Sequence, residues 1–579
     1  MPKDAAASEE LWELVRNNII GRDAFIDTPF GRRLLTYADY TASGRGFEPI
    51  ETYIRGILEH YANTHTEDDA TGMITTARLR QAENTIKRLL NAGPEYKIIE
   101  AGSGTTGAVH RLQQILGLYI PPVAKEMFHR LLQEQLDGEE LSRMEGHLLS
   151  RRPVVFVGPY EHHSNEVSWR ECFAEVVEIE LDREGLLDLE DLQQKLSRPE
   201  YRDRRLIGAF SAASNVSGLT TPVYEVAHLL HRHGALAFFD YAASAPYAEI
   251  DMQLDEERYF DGIYFSPHKF LGGPGSSGIL IIHEGVYRAD LPPTVGAGGT
   301  VDFVSFSEQA YSADIEAREK PGTPGILQTM RAALALELKE LLGIERIARR
   351  EKELIHKALQ KLTACSPIEI IGNRNPDRRI PIFSFNIRVD DSYLHPRYVT
   401  LLLNDLFGIQ SRAGCSCAGP YGHRVLHVDP QKSLLYKDRL ACGLAGLKPG
   451  WTRINFHYLM TDEEYELIMS AICLVCKYGK YFLPLYEFDI HTGSWRRRDY
   501  RPPEIEFGLH QIFIRATGRS RIDALAEKRA DPALSRKERQ ALYKGYLTEA
   551  ETLGEKLKKS FDDTRLQSTE RDLIPFIYV

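Results

Sequence analysis

The chain has 579 residues, 43% hydrophobic and 26% charged, with a formal net charge of −11. That length exceeds one ordinary domain, and the composition is that of a soluble globular protein with its own core. The negative balance argues against a dedicated nucleic-acid binder, the N-terminus lacks a basic region followed by an apolar core, and no apolar run is expected to cross a membrane. Seven cysteines, an odd number in so long a chain, do not make a disulfide framework and suggest free thiols in a reducing cytoplasm.

Residues 8–22 have the periodicity of an amphipathic helix, and Leu34–Asp39 reads as a short strand. Residues 97–116 read as a strand, a turn holding Gly102, Gly104, Thr105, Thr106 and Gly107, and an apolar-periodic helix. Free N–H groups at a helix N-terminus beside two hydroxyls make a ready phosphate site, whereas a plain N-cap needs only one such residue. Residues 121–150 are polar and helical. Val154–Val157 reads as a buried strand leading to Glu161, His162 and His163, where a flat imidazole can stack on a planar ring or serve structure alone. Leu206–Phe210 is the next strand, followed by Asn215, which taken alone is a turn residue. With helices such as Tyr224–His233 between the strands, the pattern predicts a parallel, doubly wound sheet.

The apolar run Leu236–Phe239 ends in Asp240, at the carboxyl end of a strand where open α/β sheets bind ligands. Its alternative is a helix cap. Between the apolar runs Gly262–Phe265 and Gly278–Ile282 stand Ser266, His268 and Lys269, then Gly272, Gly273 and Gly275. Alone, this is also compatible with a turn whose lysine faces water. A desolvated lysine amine, however, is nucleophilic enough to hold pyridoxal phosphate (PLP) as a Schiff base, and a buried aspartate can pair with the pyridinium nitrogen. The two signals together favour that cofactor.

Glycine-bearing stretches at 296–300 and 319–324 allow close approach of backbone to ligand, and a helix over roughly Leu327–Leu342 leads to a smaller C-terminal domain. There Cys415 and Cys417 share a glycine-rich loop with Arg412. No second cysteine pair completes a metal site, so no metal is expected; a nucleophilic thiol needs exposure and a positive neighbour, which Arg412 supplies. Cys473 and Cys476, three apart in an apolar helix, read as core. Arg453 precedes a capping box, Thr461 to Glu464. Residues 535–561 are charged and helical, and Arg496–Arg498 is a small basic cluster.

Asp240 followed by Ser266-Pro267-His268-Lys269 resembles the fingerprint of the class V aminotransferase-fold PLP enzymes, especially the cysteine desulfurase and selenocysteine lyase group. The resemblance spans roughly residues 34–480. It implies an α/β fold of PLP-transferase type I, a doubly wound, mostly parallel sheet with a smaller α+β C-terminal domain. The domains are then a helical segment 1–33, a PLP-binding domain 34–325 with 121–150 as a helical insertion, a small domain 326–484, and a charged, largely helical extension 485–579. It also implies roles. The segment Tyr37–Ser43 passes the mouth of the site, with His65 near the cofactor. Thr105, Thr106, Ser266 and His268 hold the phosphate, joined by Thr323 from across a homodimer interface. His162 stacks on the ring, Asn215 meets its phenolic oxygen, Lys269 shuttles the Cα proton, and Arg453 clamps the substrate carboxylate. Counting from Gly408, the sulfur-accepting thiol falls on Cys417, with Cys415 as an extra thiol.

One position departs from the pattern: many desulfurases carry a glutamine three residues after the aspartate, and here that residue is Ala243. The implied activity is sulfur removal from cysteine through a protein persulfide, releasing alanine, with a possible sulfur-acceptor protein as partner. A transaminase, another lyase or an epimerase on the same apparatus, and a non-catalytic sulfur carrier or scaffold, are the alternatives. Intact Lys269 and Asp240 argue against the last.

Overall fold

The computed structural model describes residues 8–64, 66, 68–504, 507–508 and 534–579. Its central sheet has seven strands: β1 (Tyr96–Glu100), β2 (Val154–Val157), β3 (Glu175–Glu178), β4 (Leu206–Ser211), β5 (Leu236–Asp240), β6 (Gly262–Phe265) and β7 (Ile279–His283). They lie in the order β1-β7-β6-β5-β4-β2-β3, and only β7 runs against its neighbours. The apolar runs of β2, β4, β5 and β6 are unbroken because both faces are covered. Ile98, Phe156, Phe210, Phe239 and Ile263 enter one core, while Ile99, Val155, Ala209, Phe238 and Tyr264 enter the core on the opposite face. Alternation along each strand sends successive side chains to opposite sides. The fold is the α/β, mostly parallel architecture expected.

A second core lies beneath a smaller sheet in which Ile382–Val389 pairs with Trp451–Asn455, and Trp451–Asn455 with Arg412–Gly414. Helices Pro396–Phe407 and Asp462–Phe482 pack on it; the second starts at the Thr461/Glu464 capping box. Among the described residues, Asp462–Leu485 is one helix long and apolar enough to cross a membrane, with mean hydropathy 1.3, contrary to the expectation that no run reaches that length. Its Leu467, Ile468, Ile472 and Phe482 are instead packed inside this second core.

Three boundaries differ from the expected ones. The N-terminal segment is a helix, Glu9–Asn17, followed by a hairpin of Phe25–Thr28 and Gly31–Leu34, so it is not helical throughout. Helix Ile326–Leu342 and Ile347 pack in the large-domain core, and Leu354 is the next buried residue to enter the second core. The described residues beyond 485 are built into the small domain. Tyr543, Tyr546 and Ala550 of helix Arg536–Lys559, with Trp495 and Ile577, complete the second core, and Phe576–Tyr578 pairs in parallel with Ser392–Leu394.

Candidate functional site

The carboxyl ends of β1, β2, β4, β5 and β6 lie along one edge of the large sheet, where the register sets Ser211 beside Asp240 and Asp240 beside Tyr264. The edge opens into a cleft of about 210 Å³ lined by both domains. Thr105, Thr106, His162, Asn215, Asp240, Ser266, Lys269, Cys417 and Arg453, far apart in sequence, all line it.

The Gly/Thr turn sits at the start of helix Thr105–Ile115, which has no side-chain cap. Thr105 N donates to Ser266 Oγ at 2.8 Å, and the hydroxyls of Thr106 and Ser164 are 2.7 Å apart. A Cβ at Gly104 would stand 2.9 Å from Ser266 Oγ and 3.4 Å from the His268 ring, so only glycine leaves this cradle open. Lys269 follows in the single 3-10 turn Pro267–Lys269.

Burial pushes the Lys269 amine down to about 8; Asp240 opposes the shift, and Arg453 and Arg412 reinforce it. Burial likewise pushes the Asp240 carboxyl up to about 6, against a 2.8 Å hydrogen bond from Ala242 N and the attraction of Lys269. His162 is driven down to about 4 by burial, then by Lys269, and its ring is therefore neutral near pH 7. Its Nδ1 accepts from Ser164 N at 3.1 Å, which fixes the ring over the cleft side of the turn.

Arg453 is 3% exposed. Its Nη2 donates to Asp39 Oδ1 at 2.8 Å and its Nη1 to the Asn215 carbonyl at 2.9 Å. Asp39 Oδ2 accepts from Arg412 Nε at 3.0 Å, so one carboxylate aligns two guanidiniums. Asn215 Nδ2 donates to the Ser416 carbonyl at 2.7 Å, leaving its Oδ1 toward other partners. Beneath the site, Glu161 is pushed up to about 8 by burial, against hydrogen bonds from Ser211 and Asn165.

Some expected residues stand outside the cleft. His268 backs the Gly104 cradle without lining it. Thr323 lies elsewhere in this chain and its Oγ1 accepts from Asn63 Nδ2 at 2.9 Å. His65 falls outside the described residues. Conversely, Thr41, Ser164, Ser211, Arg412 and Ser416 line the cleft without having been singled out as binding residues. Of these, Arg412 carried a signal as the charge beside the cysteines, and Thr41 through its place in the Tyr37–Ser43 segment at the mouth of the site. Ala243 also lines the cleft, at the position where the pattern expects glutamine.

These residues fit PLP. The uncapped helix start suits a phosphate, and Asp240 is a buried carboxylate whose raised pKa a pyridinium cation would reverse. Among the described residues, Asn215 Oδ1, Thr41 Oγ1 and Arg453 Nε are buried without a hydrogen-bond partner. All three residues line the cleft, so a polar ligand there would satisfy groups the fold leaves open.

The chain is similar to known proteins over most of its length. It is 28% identical over 394 residues to a probable cysteine desulfurase of Halalkalibacterium halodurans, covering 67% of this chain and 84% of that protein. A protein of the same description from Staphylococcus aureus is 29% identical over 413 residues, covering 70% and 88%. In fold it resembles a cysteine desulfurase from Thermococcus onnurineus at TM-score 0.61 and 23% identity, over 80% of this chain and 98% of that one. The cysteine desulfurase CsdA of Escherichia coli matches at TM-score 0.56 and 20% identity, over 80% and 97%. The model of the family described as aminotransferase class-V matches residues 142–467, more than half of the chain, and the chain belongs to that family of PLP-dependent enzymes.

Proposed function

We propose that this enzyme removes sulfur from cysteine, leaving a persulfide on Cys417 and releasing alanine. The observation that carries the reading is that Cys417, from the small domain, opens into the same cleft as Lys269, Asp240 and Arg453. The names carried by its relatives agree with it. PLP, when bound, supplies an electron sink for bond changes at the amino-acid Cα.

The chain's own residues do the rest. Thr105 and Thr106, with Ser266 behind them, would hold the phosphate, Asp240 would pair with the pyridinium nitrogen, and His162 would offer a neutral ring face. Arg453 and Arg412, aligned by Asp39, bind the substrate carboxylate. Lys269, its amine held near neutrality, takes and returns the proton at Cα. The Cys417 thiolate attacks the substrate sulfur: an S–S bond forms, the Cβ–S bond breaks, and its electron pair passes to the substrate carbon that becomes the alanine methyl after protonation.

A homodimer is part of the same proposal. Thr323 lies outside its own cleft, and the hairpin Val301–Val304/Gln309–Tyr311 exposes Phe303, Val304 and Phe306 as a covered interface would require. Ala243 favours a second reading, another amino-acid reaction at Cα such as transamination or epimerisation, because it leaves the ring without a glutamine donor. Incubation of the PLP-loaded protein with a panel of amino acids, with assays for sulfide, alanine and keto acids, separates the two. Alanine and persulfide from cysteine alone support desulfuration; keto acid from other substrates overturns it.

A further inference from the structure

His163 does not line the cleft, yet it holds the loop that carries the thiol at two points. Its backbone N–H donates to the Cys417 carbonyl at 2.7 Å, and its ring Nε2 accepts from Gly419 N at 2.9 Å. The two contacts bracket Ala418 and join the large domain, where His163 follows β2, to the small domain, where the loop runs from strand Arg412–Gly414 into helix Gly419–Val425. At the first of these contacts and just before it, Cys417 and Ser416 adopt left-handed backbone angles, with φ of +56° and +51°. Non-glycine residues hold such angles only where their surroundings impose them. A loop strained at two successive residues and pinned from across a domain boundary is a positioned loop.

We propose that His163 is the positioning residue of the nucleophile: its neutral ring latches the Cys417 loop onto the large domain and sets where the thiol stands in the cleft. The latch stands on geometry alone, while its catalytic meaning rests on the reading of Cys417 as the attacking thiol. The contact at Nε2 requires an acceptor. A protonated ring would present N–H to the Gly419 N–H and release the loop, so the latch is closed at neutral pH and opens in acid. Burial, Lys448 and Arg170 all hold the His163 pKa below the ordinary imidazole value. Lys448 comes from the segment preceding Trp451 and Arg170 from helix Val167–Arg170, where it pairs with Glu166; the other facing group is the His162 ring, 6.3 Å away between centroids.

Two variants test the latch. His163→Gln keeps a non-titrating acceptor at similar reach, and His163→Leu removes it. In the PLP-loaded full chain, hydrogen exchange of the segment 412–421 is measured relative to its intrinsic chemical rate. We expect exchange about tenfold faster in His163→Leu, with wild-type protection in His163→Gln at neutral pH. Acidification should open the wild-type segment by a similar factor and leave His163→Gln flat. In turnover, His163→Leu should lower kcat for sulfur transfer with KM for cysteine and PLP absorbance unchanged, and His163→Gln should restore it. Equal protection in all three proteins, with no acid step in the wild type, overturns the latch; if His163→Leu does not fold, the wild-type and Gln pH profiles decide alone. Full turnover in Cys417→Ser would sink the sulfur-transfer reading without touching these exchange results.

Discussion

Asp39 Oδ1 accepts from Arg453 Nη2 at 2.8 Å, and the two residues are 414 positions apart in the chain. One carboxylate near the entry of the fold thus neutralises a buried arginine from the small domain and, through its other oxygen, orients Arg412. Removing one partner of a buried pair leaves the other uncompensated. Asp39→Ala should therefore destabilise the protein by about 3 kcal/mol, read as a lower denaturant midpoint, and should raise KM for the amino acid. Unchanged stability would mean that Arg453 finds another partner.

Arg453→Lys keeps the charge and loses the planar fork. We expect KM for cysteine to rise roughly tenfold with PLP occupancy unchanged. Normal substrate binding with loss of cofactor would place Arg453 at the phosphate and not at the carboxylate.

The Lys269 amine, held at about 8, is protonated below that value and nucleophilic above it. Covalent capture of PLP by the cofactor-free protein should therefore accelerate as pH rises through about 8 and then level off. Asp240 raises the Lys269 pKa, so Asp240→Asn should move the midpoint to lower pH while weakening cofactor retention. Stopped-flow absorbance reads the rate, and borohydride fixation followed by peptide mapping should label Lys269. Fixation at another lysine would remove the whole cofactor assignment.

Cys417→Ser should bind PLP and cysteine normally, with persulfide and alanine formation falling at least a hundredfold. Cys415→Ser should keep most activity, since that thiol packs against the large-domain core. A transaminase or epimerase would tolerate both changes. Mass spectrometry of the persulfide-bearing peptide distinguishes these outcomes.

The tail makes a structural prediction. Leu34 N donates to Tyr546 Oη at 3.0 Å, and Arg33 pairs with Glu549 at 2.7 Å, so the C-terminal helix clasps the N-terminal hairpin as well as the second core. Tyr546→Ala should lower stability by about 3 kcal/mol, measured by denaturant unfolding, and truncation at 484 should abolish folding of the small domain. A stable, active truncated protein would make the extension dispensable.

Lys269 and Asp240 are legible in the sequence because each follows an unbroken apolar run, and the Gly/Thr turn because its glycines and hydroxyls are contiguous; strand ends and contiguous motifs are local properties. The seven-stranded sheet follows from the same runs, since only a sheet covered on both faces tolerates strands without polar alternation. The tail and the N-terminal hairpin are not legible in this way. Their charged sequences look like solvated helix, and their few aromatic anchors declare themselves only against the partner surface.

The sequence by itself therefore determined the family, the strand order's raw material and the chemical identity of the cleft's main groups, all written in contiguous motifs. Tertiary structure decided what those groups do to one another. The Asp39–Arg453–Arg412 alignment, the His163 hold on Cys417 and Gly419, and the depressed Lys269 amine each depend on distant segments meeting in a buried place. Hydrogen-bond partners and desolvation are set by three-dimensional neighbours, and no local spacing encodes which neighbours those will be.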